Sequence, residues 1–445
     1  MKKFLLTLAV VLAAAFSANA QVKSDAAVQK AVEKAVAASQ NPKKAGKVAT
    51  WLSLGKAYEA AYNNPIANLM MGFSEQELAL TMGNDKPLSQ EMVVLNGVQY
   101  KKNVYAQKDV YFDPNTTAIA FYVITKPSIE GDALGEAYKA YVKAHELDPA
   151  GKKDKDIAAA LERIAKNYYQ DAYAQYLLGN YSKASKMFEK AGKVAATAPC
   201  VSKDYEDAIY NAALTAQETG DYVRATALYN KSISLGYSAE GNAYSNLGNI
   251  ALIQKDTVTA RRHMEEGFDN YPENPAILTS LINLYLQINA DPRLILERLE
   301  MAKAKMPDNT SLYNVQGNLL AKLGDFDEAL EAFRTVLKIN PKDPTGLCNE
   351  GVFWFQRAVE KQQEANDLPY NEYRKYDAMM AEMHEIIKKG IEPFEKAFEM
   401  CGDIEEYSNY KIACAENLKQ MYFILRNDDP AYMDAYKKYE AFLAQ

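Results

Sequence analysis

Apolar residues recur every three or four positions through most of the chain, in blocks bounded by Gly, Asp, Asn or Pro. This spacing predicts one amphipathic helix after another. The blocks come in pairs. In TSLYNVQGNLLAKLGDFDEALEAFRTVLKINP, residues 310–341, Tyr313, Gly317 and Leu320 mark the face of a first helix and Gly324-Asp325 breaks it. Ala329 and Phe333 then mark a second helix that stops at Pro341. Small residues at Gly317 and Ala329 let two helices approach closely, while Leu320 and Phe333 fill the seam on either side. Upstream, Tyr244, Leu247 and Gly248 open a pair continued by Ala260, Met264 and Pro272, and the pair between holds Leu281, Tyr285, Leu299, Ala302 and Pro307. Pro272, Pro307 and Pro341 thus recur at intervals of roughly 34 residues, the period of a helix-pair repeat. Weaker pairs are marked by Gly179, Ala184, Phe188 and Ala191, and by Ala213, Gly220, Ala225 and Tyr229. Leu347, Gly351 and Trp354 begin a pair whose second helix is delayed until residues 391–400, with Phe394 and Ala397.

A different interruption occurs near the start. The stretch TWLSLGKAYEAAYNNP, residues 50–65, reads as a first helix, but the chain then runs into Pro65 and through residues with no helical period. Ala137, Tyr141, Ala144 and Pro149 have the intervals of the missing second helix, so an insertion at about residues 65–131 postpones it. Within the insertion, MVVLNGVQY carries Asn96-Gly97 between apolar residues, a strong hairpin signal, and TAIAFYVITK is β-branched and aromatic. A small element of two to four strands is predicted there.

Trp51, Leu54, Gly55 and Tyr58 stand at the W-x2-L-G-x2-Y spacing that opens a tetratricopeptide repeat. With the pairs above, the chain resembles an exported bacterial tetratricopeptide repeat protein over roughly residues 48–62 and 132–400. The resemblance implies an all-α fold with a small β insertion, an α-α superhelix of tetratricopeptide-like helix hairpins. It also implies a concave groove, lined by the first helices, that binds a protein or peptide. The expected organisation is a signal peptide (1–20), an N-terminal helix and connector (21–47), and a first hairpin carrying the insertion (48–149). Repeats (150–343), an expanded unit (344–403) and capping helices (404–445) follow.

Composition changes this picture little, except for compartment. Of 445 residues, 48% are hydrophobic and 24% charged, which fits a folded chain and excludes pervasive disorder. Lys2, Lys3, the run FLLTLAVVLAAAF and the small-residue site ending at Ala20 form the three parts of a secretory signal peptide, so a periplasmic or secreted protein is expected. No later apolar run reaches the roughly 18 residues of a membrane span. The formal charge of −7 disfavours nucleic acid as a partner. Four cysteines are too few for a disulfide scaffold; Cys401 and Cys414, close in sequence, suit either a bridge between neighbouring helices or two buried thiols.

Candidate chemistry is sparse. His145, His263 and His384 lie far apart and none belongs to H-E-x-x-H, and there is no nucleophile elbow or phosphate loop. The expectation is therefore a non-enzymatic protein with no metal and no cofactor. In the repeat frame the groove-facing positions are Ser245, Asn246 and Asn249, then Ser280 and Asn283, then Asn314 and Asn318, then Asn349. An amide donates and accepts at once, so a row of Asn suits an extended peptide backbone, though the same residues also suit a solvated surface or a bond to a neighbouring helix. Asn318 and Asn349 resemble the Asn pair of repeats that clamp a chaperone's carboxylate. The Lys expected beside them is replaced by Asn314, which argues against an acidic tail. Tyr100, Tyr105, Tyr111, Phe112, Phe121 and Tyr122 give the insertion either a small core or a platform for stacking sugars. The latter is the alternative function, a glycan-binding protein of the cell-surface import type.

Overall fold

A computed structural model describes residues 22–83, 85–272, 274–288 and 290–444. The expected signal peptide lies outside the described residues. The chain divides into two compact units, one up to Asp256 and one from Thr257 onward.

The first unit begins with α1 (Asp25–Gln40), capped by the Ser24 hydroxyl, and the short α2 (Pro42–Ala45). Next come α3 (Val48–Asn63), α4 (Glu75–Met82) and the strands β1 (Ser89–Leu95), β2 (Val98–Val104), β3 (Lys108–Phe112) and β4 (Ile119–Ile124). The helices α5 (Ala133–Glu146), α6 (Asp154–Leu177), α7 (Tyr181–Ala195), α8 (Ala208–Glu218), α9 (Tyr222–Ser234) and α10 (Asn242–Ile253) complete it. Helix α3 packs on α5, across the whole insertion. Its Gly55 lies flat against the ring of Tyr141: a Cβ there would fall 2.7 Å from a ring carbon. Trp51 packs into the same cluster as Tyr141, Ala137 and Ala144, and its indole N–H donates to the Ala45 carbonyl at 2.7 Å.

The insertion folds as an antiparallel meander in the order β1-β2-β3-β4, with Asn96 and Gly97 both at positive φ in the first turn and Leu95 paired to Val98. Helix α4 precedes the sheet and is absent from the sequence reading. Its signal was the capping box, in which the hydroxyl of Ser74 accepts from the Glu77 N–H while the Glu77 carboxylate accepts from the Ser74 N–H. The neck of the insertion is tied: buried Asn64, after α3, donates to the hydroxyl of buried Ser128, ahead of α5, at 2.9 Å.

The second unit holds α11 (Thr257–Asn270), α12 (Pro275–Gln287), α13 (Pro292–Lys305), α14 (Thr310–Leu323) and α15 (Phe326–Ile339). Then follow α16 (Thr345–Asn366), α17 (Tyr373–Cys401), α18 (Ser408–Leu425) and α19 (Pro430–Leu443). In the α14–α15 pair, Gly324 ends the first helix at φ 87°. Gly317 is pressed against Phe333 so closely that a Cβ would overlap the ring. The predicted helix over 391–400 is the last third of α17, which runs unbroken from Tyr373; Gly351 of α16 meets its Phe394, with 2.6 Å left for a Cβ. These hairpins, with the four-stranded sheet set into one of them, are the all-α architecture with a β insertion expected from the sequence. The four cysteines are free thiols, and the near neighbour of Cys414 is Cys348 of α16, Sγ to Sγ 3.5 Å, and not Cys401.

Candidate functional site

The eight polar positions fall on four helices: Ser245, Asn246 and Asn249 on α10, Ser280 and Asn283 on α12, Asn314 and Asn318 on α14, and Asn349 on α16. Their surroundings sort them into three kinds. Asn246 and Asn314 tie one helix to another. The Asn246 amide donates to the Tyr210 hydroxyl of α8 at 3.3 Å, and the Asn314 amide donates to the Thr345 hydroxyl of α16 at 2.7 Å. Ser245 is buried, its hydroxyl without a partner among the described residues, while Ser280 and Asn349 are half-buried.

Asn249, Asn283 and Asn318 are different. Each is exposed, and its side chain makes no hydrogen bond among the described residues. An exposed amide on a rigid helix offers one acceptor and two donors at no cost of unmaking an internal bond. Within the second unit, Asn283 and Asn318 occupy equivalent places on α12 and α14, and Asn349 follows on α16.

Of the two readings of the insert aromatics, a core or an exposed stacking surface, the structure shows the core, so they are not surface candidates. Tyr100, Tyr105, Tyr111, Phe112 and Tyr122 are 3–8% exposed, as is Phe121. The reason is that both faces of the sheet are covered over β2–β4, while β1 stays largely exposed. Tyr105, Phe112, Tyr122, Val110 and Ile119 point toward Leu78 and Met82 of α4. Tyr100, Tyr111 and Phe121 point the other way, onto Ala174 and Leu177 of α6, with Tyr111 stacked on Phe121 at 4.2 Å. The alternation of strand side chains therefore serves two cores, and no stacking platform for sugars results.

The histidines stay apart. His145 lies 2.9 Å from Asp154, His384 lies 3.0 Å from Asp428, and His263 is buried, where desolvation and then Arg262 hold its imidazolium below the ordinary range. Among the described residues no three metal-ligating side chains converge.

Residues 311–343, the α14–α15 pair, match the tetratricopeptide repeat family. The chain is 25% identical over 211 residues to BBSome complex member BBS4 of Bos taurus, and 27% identical over 211 residues to that of Mus musculus. Each match covers 46% of this chain and 39% of the relative, so the chain spans about two fifths of the length of the curated relatives it matches. Among solved structures, YrrB, a TPR protein with an unusual peptide-binding site, matches with a TM-score of 0.31 and 22% identity over 49% of this chain and 95% of its own. The C-terminal part of a TPR repeat-containing protein from Cytophaga hutchinsonii matches with a TM-score of 0.40 and 16% identity, over 63% of this chain and 95% of its own.

Proposed function

We propose that the protein is a non-enzymatic tetratricopeptide-type scaffold, exported by cleavage after Ala20 to the periplasm or beyond, that binds an extended segment of another polypeptide. The observation that carries this reading is the pair of exposed, uncommitted amides Asn283 and Asn318 at equivalent positions on successive first helices, continued by Asn349. Side chains fixed on stacked hairpins are in place before the partner arrives, which lowers the ordering cost of binding. The amides read backbone N–H and C=O, so the site tolerates many sequences and takes its selectivity from neighbouring side chains.

The test is a peptide array probed with the full chain, followed by anisotropy titration of the best peptide against the wild type and against Asn283→Ala, Asn318→Ala and Asn349→Ala combined. Each amide contact contributes about 0.5–1.5 kcal/mol net, so the triple change should weaken binding at least about tenfold while the circular dichroism spectrum is unchanged. Equal affinity of the two proteins would remove the amides from the site.

A further inference from the structure

A second site lies wholly in the first unit and does not depend on the reading above. The end of α3, the edge strand β4 with the turn that follows it, the start of α5, and the helices α6 and α7 enclose a cavity of about 450 Å³. That is the size range of small-molecule and side-chain pockets, roughly 300–1,000 Å³. Lys183 and Lys190, both exposed on α7, stand at its rim, so it opens to water beside that helix.

The polar groups of the wall divide into satisfied and unsatisfied. Asp132 is committed: it accepts from the Lys190 ammonium at 2.6 Å, the Tyr168 hydroxyl at 2.7 Å and the Gly135 N–H at 3.0 Å. Gln175 accepts from Asn180 at 3.0 Å. Asp171 of α6, in contrast, makes no ion pair and no hydrogen bond of ordinary length among the described residues. The hydroxyl of Tyr62 is shut off from solvent without a hydrogen-bond partner. The two are close enough to feel each other. Burial pushes the Asp171 carboxyl up to about 7, although the Tyr62 hydroxyl and Lys183 pull it down. The Tyr122 hydroxyl makes a long contact, 3.4 Å, to Gln170 and lies near the Tyr62 hydroxyl.

A buried polar atom without a partner at hydrogen-bond distance is costly, so the Tyr62 hydroxyl, set in the cavity wall beside the half-buried carboxyl of Asp171, points to a ligand that completes the group. A carboxylate only accepts, and a group with three donors and no acceptor answers it: an ammonium. The hydroxyl oxygens of Tyr62 and Tyr122 can accept from the same group. Lys190 already brings an ammonium to the rim, 5.3 Å from the centre of the Tyr168 ring. Ile124, Ile129 and Met187 supply an apolar part of the wall that suits an aliphatic stem. An anionic ligand would instead meet Asp171 as a like charge; of the two rim cations, Lys190 is already paired with Asp132, which leaves Lys183.

We propose that this cavity binds a primary ammonium on a short aliphatic stem, as borne by a lysine side chain of a partner or by a free alkylamine. Only the ionised form of Asp171 attracts the ligand. The other groups that face it are Tyr62 from α3, Tyr122 from β4, Asp132 from the start of α5, Tyr168 from its own helix, and Lys183 and Lys190 from α7. Burial raises the three tyrosines further above neutrality, and at Asp132 the cost of burial is outweighed by Lys190 and Tyr168, which hold it low. With Asp171 near 7, its ionised fraction rises about tenfold from pH 6 to pH 8.

Calorimetric titration of the full chain with N-acetyl-lysine amide and with n-butylamine, at pH 6 and pH 8, tests the site. The expected result is binding about tenfold tighter at pH 8, lost in Asp171→Asn and weakened severalfold in Tyr62→Phe, with sodium butyrate giving no heat. Response to the lysine derivative alone assigns the site to a polypeptide side chain; response to both assigns it to the ammonium from either source. Affinity that is flat between the two pH values, unchanged in Asp171→Asn, or absent for both amines overturns the proposal. Because no residue of α12, α14 or α16 is altered, failure here leaves the amide row untouched, and the reverse holds too.

Discussion

The α3–α5 and α14–α15 hairpins solve one packing problem with very different connections. Gly55 meets Tyr141 in the first, Gly317 meets Phe333 in the second, and the second helices carry the same Ala-x3-aromatic interval, Ala137 to Tyr141 and Ala329 to Phe333. Yet two residues, Gly324 and Asp325, turn the chain in one case and residues 64–132 do so in the other. Lengthening a loop costs only about 0.6 kcal/mol per doubling, so about five doublings cost about 3 kcal/mol, comparable to one buried aromatic ring. Seam complementarity, not connection length, decides which helices pair. The two seams also differ in polarity, through the residues that form them. The Phe333 seam is dry, whereas the Tyr141 hydroxyl donates to buried Glu59 at 2.9 Å, and Glu59 is held by Arg163 at 2.5 Å.

Both seams are most sensitive at their rings. Tyr141→Ala and Phe333→Ala should each cost about 3–5 kcal/mol, read as lost hydrogen-exchange protection in α3–α5 and in α14–α15 respectively, since two units need not unfold together. A small loss for Tyr141 alone would show that the insertion, and not the seam, holds the first hairpin. Gly55→Ala and Gly317→Ala should each cost about 2–3 kcal/mol by the same measurement, because both rings are locked in place and must shift.

Polarity gives the next contrast. Asp171 has a folded pKa near 7 against about 3.9 in the unfolded chain, so between those values the folded state holds the extra proton. Its contribution to stability is therefore present at pH 4, is lost as pH rises toward 7, and is constant above. Asp171→Asn should stabilise the first unit at pH 8 by on the order of 2 kcal/mol more than at pH 4, as measured by thermal unfolding at the two pH values. Tyr141→Phe, which keeps the ring and removes the bond to Glu59, should cost about 1.5 kcal/mol, a loss with no counterpart at Phe333. Asn318→Ala should change stability by less than about 0.5 kcal/mol, since the amide is exposed and uncommitted; a larger change would mean that it has an internal role.

Helix pairing was legible because it is local and periodic. Gly317, Leu320, Ala329 and Phe333 announce their faces by spacing alone, and Trp51 with Tyr141 could be matched across the insertion because each kept its half of the same pattern. The Asn-Gly turn announced the first strand pair for an equally local reason, the positive φ that those two residues accept. The helix α4 was missed because it spans only Glu75–Met82 and has little periodicity to show.

The chain alone thus determined the hairpins, their close-contact residues and the presence of a sheet, all of which follow from steric rules acting over a few residues. Tertiary structure decided what the faces meet: that Tyr111 lies on α6, that Cys414 sits beside Cys348, and that Asn314 is tied to Thr345 while Asn318 is free. It also brought Tyr62, Tyr122 and Asp171 around one cavity from three elements far apart in sequence. Burial and electrostatic environment are set by neighbours that no local pattern names, and for that reason the charge state of Asp171 exists only in the folded chain.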